Sequence, residues 1–523
     1  MTMFSSMAIQ LPSASALFAS LLFLFVILKQ WKKSNGAKKD SPSKLPPGPK
    51  MLPLLGNLHQ MMGSLPHHSL RDLARRHGPI MRLQLGEILT IVISSADMVK
   101  EILGKNELTF AQRPEISAHE VMSYENSSFV FSPYGEYWRQ MRKICVVELL
   151  SMKKVLSFRS IREQECWNMM KTIQSSQGKP VNASKMVLHL INDITSRAAF
   201  GERCKYRDEF LSFLKEVTML GGGFELPDLF PSIWFLRYLS RMKPAWERLH
   251  KKIDLILNHI IEEHKEKLKG NGGNDEEDEN AREDLVDVLL NLQKSSEMNY
   301  FIKPHVIKNI VMEIFAAGTD PSSTTIDWAF SEMLRNPRVM EKAQAEVRSI
   351  LQGKTQVREQ DIQGLEYLKL VVKETLRMHP PAPLLTRESR EACVINGYEI
   401  PKKTKIVINA YAVGRDPEFW TDPESFVPER FLNSSVDFRG LSFEYIPFGG
   451  GRRMCPGINF GLANIELPLA QLLYHFDWSL ADGIKAQDLD MSETFGVTSR
   501  RKNPLIVVAE PRVPFSYDGD HDK

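Results

Sequence analysis

The apolar positions of the chain fall into three regimes. From Leu11 to Leu28 the sequence is dominated by Leu, Phe, Ala, Val and Ile and carries no charged side chain. At 18 residues this run reaches the lower limit for a helix that crosses a bilayer core. Period-two alternation comes next: Ile80–Leu85 and Thr90–Ile93 flank Gly86-Glu87 and predict a hairpin. Asn396-Gly397, between Cys393–Ile395 and Tyr398–Ile400, predicts a second hairpin, and Lys405–Ala410 a further strand. Most of the remainder has helical spacing. Lys303-Pro304 opens a helix that runs to Arg335, ahead of Asn336-Pro337. At 1.5 Å per residue it is about 48 Å long, enough to cross the middle of a domain.

Other segments divide the chain. Leu45-Pro46-Pro47-Gly48-Pro49 is stiff and extended, because proline fixes φ and disfavours helix before it. Gly270–Asp284, glycine-rich and then acidic, reads as a solvated loop. There is no internal repeat. The expected order is a lumenal end (1–10), a transmembrane anchor (11–28), a basic linker with a Pro-rich hinge (29–49), one large domain (50–512), mainly α with small β-sheets, and a polar tail (513–523).

Composition narrows the function. With 43% hydrophobic and 25% charged residues, the 523-residue chain is neither disordered nor a coiled coil. The net charge is +3, but residues 29–50 hold seven Lys against one Asp, so the rest is slightly acidic and offers no footprint for nucleic acid. Basic charge after the apolar run, not before it, marks a retained anchor whose downstream end stays cytosolic. The expected compartment is the endoplasmic reticulum membrane. The sequons at Asn126, Asn182 and Asn433 are then expected to stay unglycosylated. The five cysteines show no C-x-x-C pair, which fits a reducing compartment.

One cysteine stands apart. In Phe448-Gly449-Gly450-Gly451-Arg452-Arg453-Met454-Cys455-Pro456-Gly457 three glycines let backbone amides approach the sulfur, and a helix from about Gly457 to Phe476 turns its positive end toward it. Both features favour a thiolate. The stretch resembles the haem-binding loop of the cytochrome P450 superfamily, F-G-x-G-x-R-x-C-x-G, at every fixed position. Glu374-Thr375-Leu376-Arg377, Pro428-Glu429-Arg430-Phe431 and Trp138-Arg139-Gln140-Met141-Arg142 match the family's E-x-x-R, P-E-R-F and W-R-x-x-R in the right order.

The resemblance implies a cytochrome P450 fold and an NADPH- and O2-dependent monooxygenase. Cys455 would be the axial thiolate of haem b, and Trp138, Arg142, Arg387 and Arg453 would hold the propionates. Glu374, Arg377 and Arg430 would form a structural ion-pair network. NADPH would act through a separate NADPH–cytochrome P450 reductase, with cytochrome b5 as a further partner; the chain's lack of a G-x-G-x-x-G fingerprint opening a helix agrees. The family's substrate-contact regions map to Ile116, Val121, Phe129 and Phe131, then Ile314, Phe315, Ala317 and Thr319, then Ala382, Leu384 and Leu385, and finally Phe495 and Val497. Most are apolar and imply a lipophilic substrate. The anchor, hinge and haem segments look like plant microsomal enzymes, closest to terpenoid hydroxylases; an alkaloid or other aromatic metabolite is the alternative. Relatives that rearrange or dehydrate without reductase remain a second alternative, and a catalytically silent membrane haem protein a third.

The chain departs from the family at one place. Where A-G-x-D/E-T is usual, it reads Ala317-Gly318-Thr319-Asp320-Pro321-Ser322. Proline supplies neither hydroxyl nor N–H. Either Pro321 is a tolerated kink that leaves the chemistry unchanged, or proton delivery passes through Asp320, with Thr319, Ser322, water or a substrate hydroxyl in support.

Overall fold

The computed structural model describes residues 44–513, apart from 125–126, 222–224, 241, 271–282, 296–301 and 495. The expected anchor, most of the basic linker and acidic loop, the sequon at Asn126, Phe495 and all but the first residue of the expected tail lie outside the described residues. Among the described residues no helix is long and apolar enough to cross a membrane.

The first hairpin joins β1 (Ile80–Leu85) to β2 (Ile88–Ile93), with Ile80 opposite Ile93 and Leu85 opposite Ile88. Strand β2 begins two residues earlier than the alternation suggests, because Ile88 and Leu89 complete the ladder. At the turn Gly86 has φ +61°, and a Cβ there would lie 2.5 Å from the Leu229 carbonyl oxygen, so conformation and space both require glycine. The later strands are β3 (Val181–Asn182), β4 (Leu384–Glu388), β5 (Cys393–Ile395), β6 (Tyr398–Ile400), β7 (Lys405–Asn409), β8 (Phe476–Leu480) and β9 (Ile506–Pro511). They form a four-stranded sheet β1-β2-β7-β4, a three-stranded sheet β3-β9-β8 and the β5-β6 hairpin. Asn396 and Gly397 both have positive φ, as an Asn-Gly turn requires. Strand β7 stops at Asn409, one residue short of expectation, because the Asn409 side chain accepts the Ala412 N–H at 3.1 Å and starts a helical turn.

Helices supply the rest. Those used below are α1 (Pro66–His77), α2 (Glu136–Ile144), α3 (Arg159–Ser175), α4 (Ala183–Phe200), α5 (Arg207–Leu220), α6 (Met242–Gly270), α7 (Leu285–Lys294), α8 (Pro304–Arg335), α9 (Pro337–Ile350), α10 (Glu366–Met378) and α11 (Ile458–His475). Asp284, last residue of the expected acidic loop, caps α7 by accepting the Asp287 N–H at 2.9 Å. Helix α8 has the expected bounds and is buried on nearly every side, so it can only be central. It packs on α4, α10 and α11 within one large helical core, and a second apolar cluster underlies the four-stranded sheet. Each large apolar side chain so enclosed contributes about 1.5–3 kcal/mol. The Pro-rich segment is tied to this body, the Pro47 carbonyl accepting the Arg82 N–H at 2.8 Å and Lys44 that of Glu399 at 2.9 Å.

The E-x-x-R pair is an internal brace. Arg377 holds both Glu374 carboxylate oxygens at 2.8 Å, and Arg430 donates to the same carboxylate at 2.9 Å. Arg377 also donates to the carbonyls of Gly414, Pro423 and Ser425. Both charges of the pair are buried yet fully partnered, the condition under which a buried ion pair is tolerated. The brace joins α10 to the segment that leads into the Cys455 loop.

Candidate active site

The loop carrying Cys455 is closed by hydrogen bonds from Gly449 N–H to Ile446 O, Met454 N–H to Gly451 O and Cys455 N–H to Phe448 O, each 3.0 Å. Gly449 (φ +73°) and Gly451 (φ +62°) occupy the left-handed region. A Cβ on Gly451 would also lie 2.8 Å from the Leu103 carbonyl oxygen, so that glycine has two reasons to be there. Helix α11 starts at Ile458, three residues beyond the sulfur. Burial pushes the Cys455 thiol up, while the Gly457 N–H and Arg142 draw it down. The favourable groups read from the sequence are present, but burial outweighs them in the protein alone.

Beside this loop is an all-cationic cluster. Arg453 donates to the carbonyls of Ala111 (2.8 Å), Val130 (3.4 Å) and Ser132 (2.7 Å). Its guanidinium stands over the indole of Trp138, which α2 presents from within the core. Arg387 on β4 is buried and donates to the Thr386 carbonyl at 2.8 Å. Arg113 donates to that same carbonyl at 2.9 Å and leaves its Nε without a partner. Arg142 on α2 completes the group. Burial, reinforced by Arg113 and Arg142, pushes Arg453 down to about 9, and burial alone takes Arg113 to about 10. Arg387 falls well below the usual guanidinium range through burial and its two arginine neighbours, and Arg142 is lowered by burial. No carboxylate among the described residues faces any of the four.

Within the mostly enclosed α8, Ala317 is exposed and Gly318 and Pro321 are half-buried. Pro321 has no N–H to give the Ala317 carbonyl. The three residues expected to move protons do not converge. Asp320 is ion-paired with Arg500 and accepts the Thr218 hydroxyl of α5 at 3.2 Å. Ser322 faces α11, with its Oγ 3.8 Å from where a Cβ on Gly461 would be. Thr319 is fully buried and its hydroxyl has no partner. Among the pocket positions, Leu384 and Leu385 are half-buried on β4, Phe129 is buried, Phe131 is partly exposed and Val497 exposed. Phe315 instead packs against Phe210 and Phe200, with centroids 4.5 and 5.7 Å away, so it serves the core between α8, α4 and α5.

The family model described as Cytochrome P450 matches residues 46–507. The chain belongs to the cytochrome P450 family. It is 52% identical over 509 residues to melianol synthase of Azadirachta indica, covering 97% of this chain and 100% of that protein. Premnaspirodiene oxygenase of Hyoscyamus muticus is 50% identical over 97% of this chain and 99% of its own length. A zebra fish cytochrome P450 structure, solved with abiraterone, superposes with a TM-score of 0.71 over 86% of this chain and 99% of that one, at 24% identity, and so shares the fold. As a P450 the protein is a monooxygenase of a haem-binding family.

The residues fit that group. Haem b brings two carboxylates and an iron that takes a thiolate; this P450 supplies four arginines that lack acids, Arg387 and Arg453 buried and Arg113 with an orphaned Nε, beside a single cysteine in a glycine loop. Of these arginines, Arg113 was not anticipated from the sequence. Nor were Arg500, the partner of Asp320, and Glu313, one turn before Ala317 on α8. Each is an ordinary charged residue in sequence, and only its contact with a distant segment marks it. Arg113-Pro114 beside the apolar Phe110-Ala111 was the faint local signal.

Proposed function

We propose that Cys455 ligates haem iron and that Arg113, Arg142, Arg387, Arg453 and the Trp138 face receive the propionates, in a monooxygenase that oxidises a terpenoid. The observation that carries the haem reading is the arginine cluster without acids beside the Cys455 loop. The terpenoid reading rests on relatives about half identical over almost their whole lengths, since melianol and premnaspirodiene are both terpenoids. When bound, haem supplies oxygen activation, with electrons from NADPH passed by a separate reductase; cytochrome b5 is a further donor.

The protein's own part is positional. The Phe448 carbonyl holds the Cys455 backbone N–H, and the Gly457 N–H meets the sulfur. Arg453 and Arg387 anchor the carboxylate edge, while β4 and the Phe129 segment offer apolar surface to substrate. Asp320, restrained by Arg500 and Thr218, holds and passes protons at its carboxylate, and the Ala317 carbonyl, without an N–H from Pro321, accepts the hydroxyl of an already oxygenated substrate.

Mass spectrometry of products from terpenoid and alkaloid panels, with reductase co-expressed, tests the reading. Terpenoid-dependent NADPH consumption with an added oxygen atom is expected. Products from alkaloids alone overturn the terpenoid reading; peroxide consumption without NADPH overturns the monooxygenase cycle. We further propose a single-pass endoplasmic reticulum anchor at 11–28, with the catalytic domain cytosolic. Deleting Met1–Leu28 should release the chain from carbonate-resistant membranes, and glycosylation at any of the three sequons would overturn the orientation.

A further inference from the structure

Glu313 lies on α8 one turn before Ala317, and its carboxyl is turned to the segment Ser127–Ser132 rather than to a cation. The Ser128 hydroxyl donates to one oxygen, the Phe129 N–H to the other at 3.1 Å, and the Val130 N–H is a third donor. The same segment is held twice more from this side. Tyr137 donates its hydroxyl to the Ser127 carbonyl at 2.6 Å, and the Asn309 amide of α8 donates to Ser127 Oγ at 3.2 Å.

Glu313 thus holds the segment at the Ser128 hydroxyl and at the Phe129 and Val130 N–H groups. Two carbonyls of the segment, those of Val130 and Ser132, instead accept from Arg453. Between the two sets lies Phe129, buried and at an expected substrate-contact position. A short stretch of irregular backbone therefore couples the central helix to the arginine beside the Cys455 loop.

We propose that Glu313 is a positioning residue, which fixes Ser127–Ser132 so that Phe129 is held against substrate and Arg453 keeps its carbonyl partners. Tyr137 and Cys145 are the titratable groups facing it, and no cation among the described residues does. Burial pushes the Glu313 carboxyl up to about 8, against the three donors. Protonated, it offers one good acceptor and its own O–H; ionised, it accepts from all three donors. The clamp therefore tightens as pH rises through that value.

The proposal rests on the haem-thiolate reading above, which the carbon monoxide spectrum of the parent tests separately. The experiment compares full-length haem-loaded parent with Glu313→Gln, which keeps the size of the side chain but replaces one acceptor oxygen with a donor. Two quantities are read: amide hydrogen exchange of a peptide covering 127–132, and binding of imidazole against 4-phenylimidazole, whose ring reaches beyond the iron. Above about pH 8, where the parent carboxyl is ionised, exchange in Glu313→Gln should be roughly tenfold quicker and 4-phenylimidazole roughly tenfold weaker, while imidazole stays within about twofold. Protection of 127–132 should rise through about pH 8 in the parent and not in the variant. Unchanged exchange, equal weakening of both imidazoles, or the same pH inflection in the variant overturns the proposal.

Discussion

The guanidinium carbon of Arg453 stands 4.4 Å from the ring centroid of Trp138, while its donors end on three backbone carbonyls and on no acid. A cation over an indole gains about 0.5–2 kcal/mol, which keeps the arginine in place without neutralising it. Arg453→Ala and Arg142→Ala are predicted to lower haem retention while leaving the thiolate-type carbon monoxide spectrum in the fraction that binds. Unchanged haem occupancy in both would remove their propionate role.

Arg387→Met separates the two consequences of an unpaired buried cation. Haem retention should fall, yet the haem-free chain should gain stability, because a charge without an acid is no longer enclosed. Thermal unfolding of haem-free and haem-loaded protein would show shifts of opposite sign. Shifts in the same direction would contradict the assignment.

Cys455→Ala should abolish the thiolate-type carbon monoxide spectrum. None of the other four stands in the glycine loop beside the arginines: Cys145 and Cys166 lie in the helical core, Cys204 follows α4 and Cys393 is on β5. A variant that kept the spectrum would relocate the ligand.

Glu374→Gln should destabilise the protein without touching substrate. It leaves Arg377 and Arg430 around a neutral amide, and breaking a buried pair costs about 3–5 kcal/mol. Yield of haem-loaded protein and the temperature of haem release should both drop, with product distribution unchanged. Altered regioselectivity would show that the brace reaches the pocket.

A pH dependence follows from the contacts of Glu493. Its carboxylate lies 2.7 Å from His67, 3.5 Å from His68 and 3.7 Å from His379, whose other ring nitrogen meets Glu332 at 2.7 Å. Burial pulls His379 down, but Glu332 and Glu493 outweigh it and leave it raised. Its contribution to stability is complete below the unfolded value of about 6.5 and is lost as pH rises through the folded value. Glu493, which burial pushes up and the histidines hold far below the carboxylate range, contributes above about pH 4.3 and loses this in acid. His67, lowered by burial, contributes above about pH 6.5 and loses this as pH falls. In His379→Gln the temperature of haem release should be lower at pH 6 and should no longer show the His379-dependent fall toward pH 8. A parallel fall in parent and variant would rule His379 out.

At the departure on α8, Pro321→Thr should change the share of NADPH electrons that reaches product instead of peroxide, and Asp320→Asn should slow turnover with haem retained. The second variant also loosens Arg500 and Thr218, so Arg500→Gln should reproduce part of its effect. Parent-like coupling and turnover in all three would mean that this stretch carries no proton route.

Local chemistry explains which parts could be read in advance. The Gly86-Glu87 and Asn396-Gly397 turns, the proline-bounded α8 and the glycine loop at Cys455 each have their cause within a few residues of sequence. The parallel pairing of β2 with β7, the Arg113 and Arg500 contacts and the Glu313 clamp have theirs in segments far apart in the chain. Phe315 shows the same limit: its place on the helix suggested the pocket, but only Phe200 and Phe210 decide where the ring goes.

The β2–β7 pairing also bears on how the chain is made. Thr90 lies beside Lys405, so β2 gains its second neighbour only after about 315 further residues have left the ribosome. At about 5–20 residues per second that is roughly 15–60 s. Through this interval Ile91, Val92 and Ile93 form an uncovered strand edge, the kind that templates aggregation. Expression conditions that shorten the wait, or a chaperone that occupies the edge, should therefore raise the yield of folded protein.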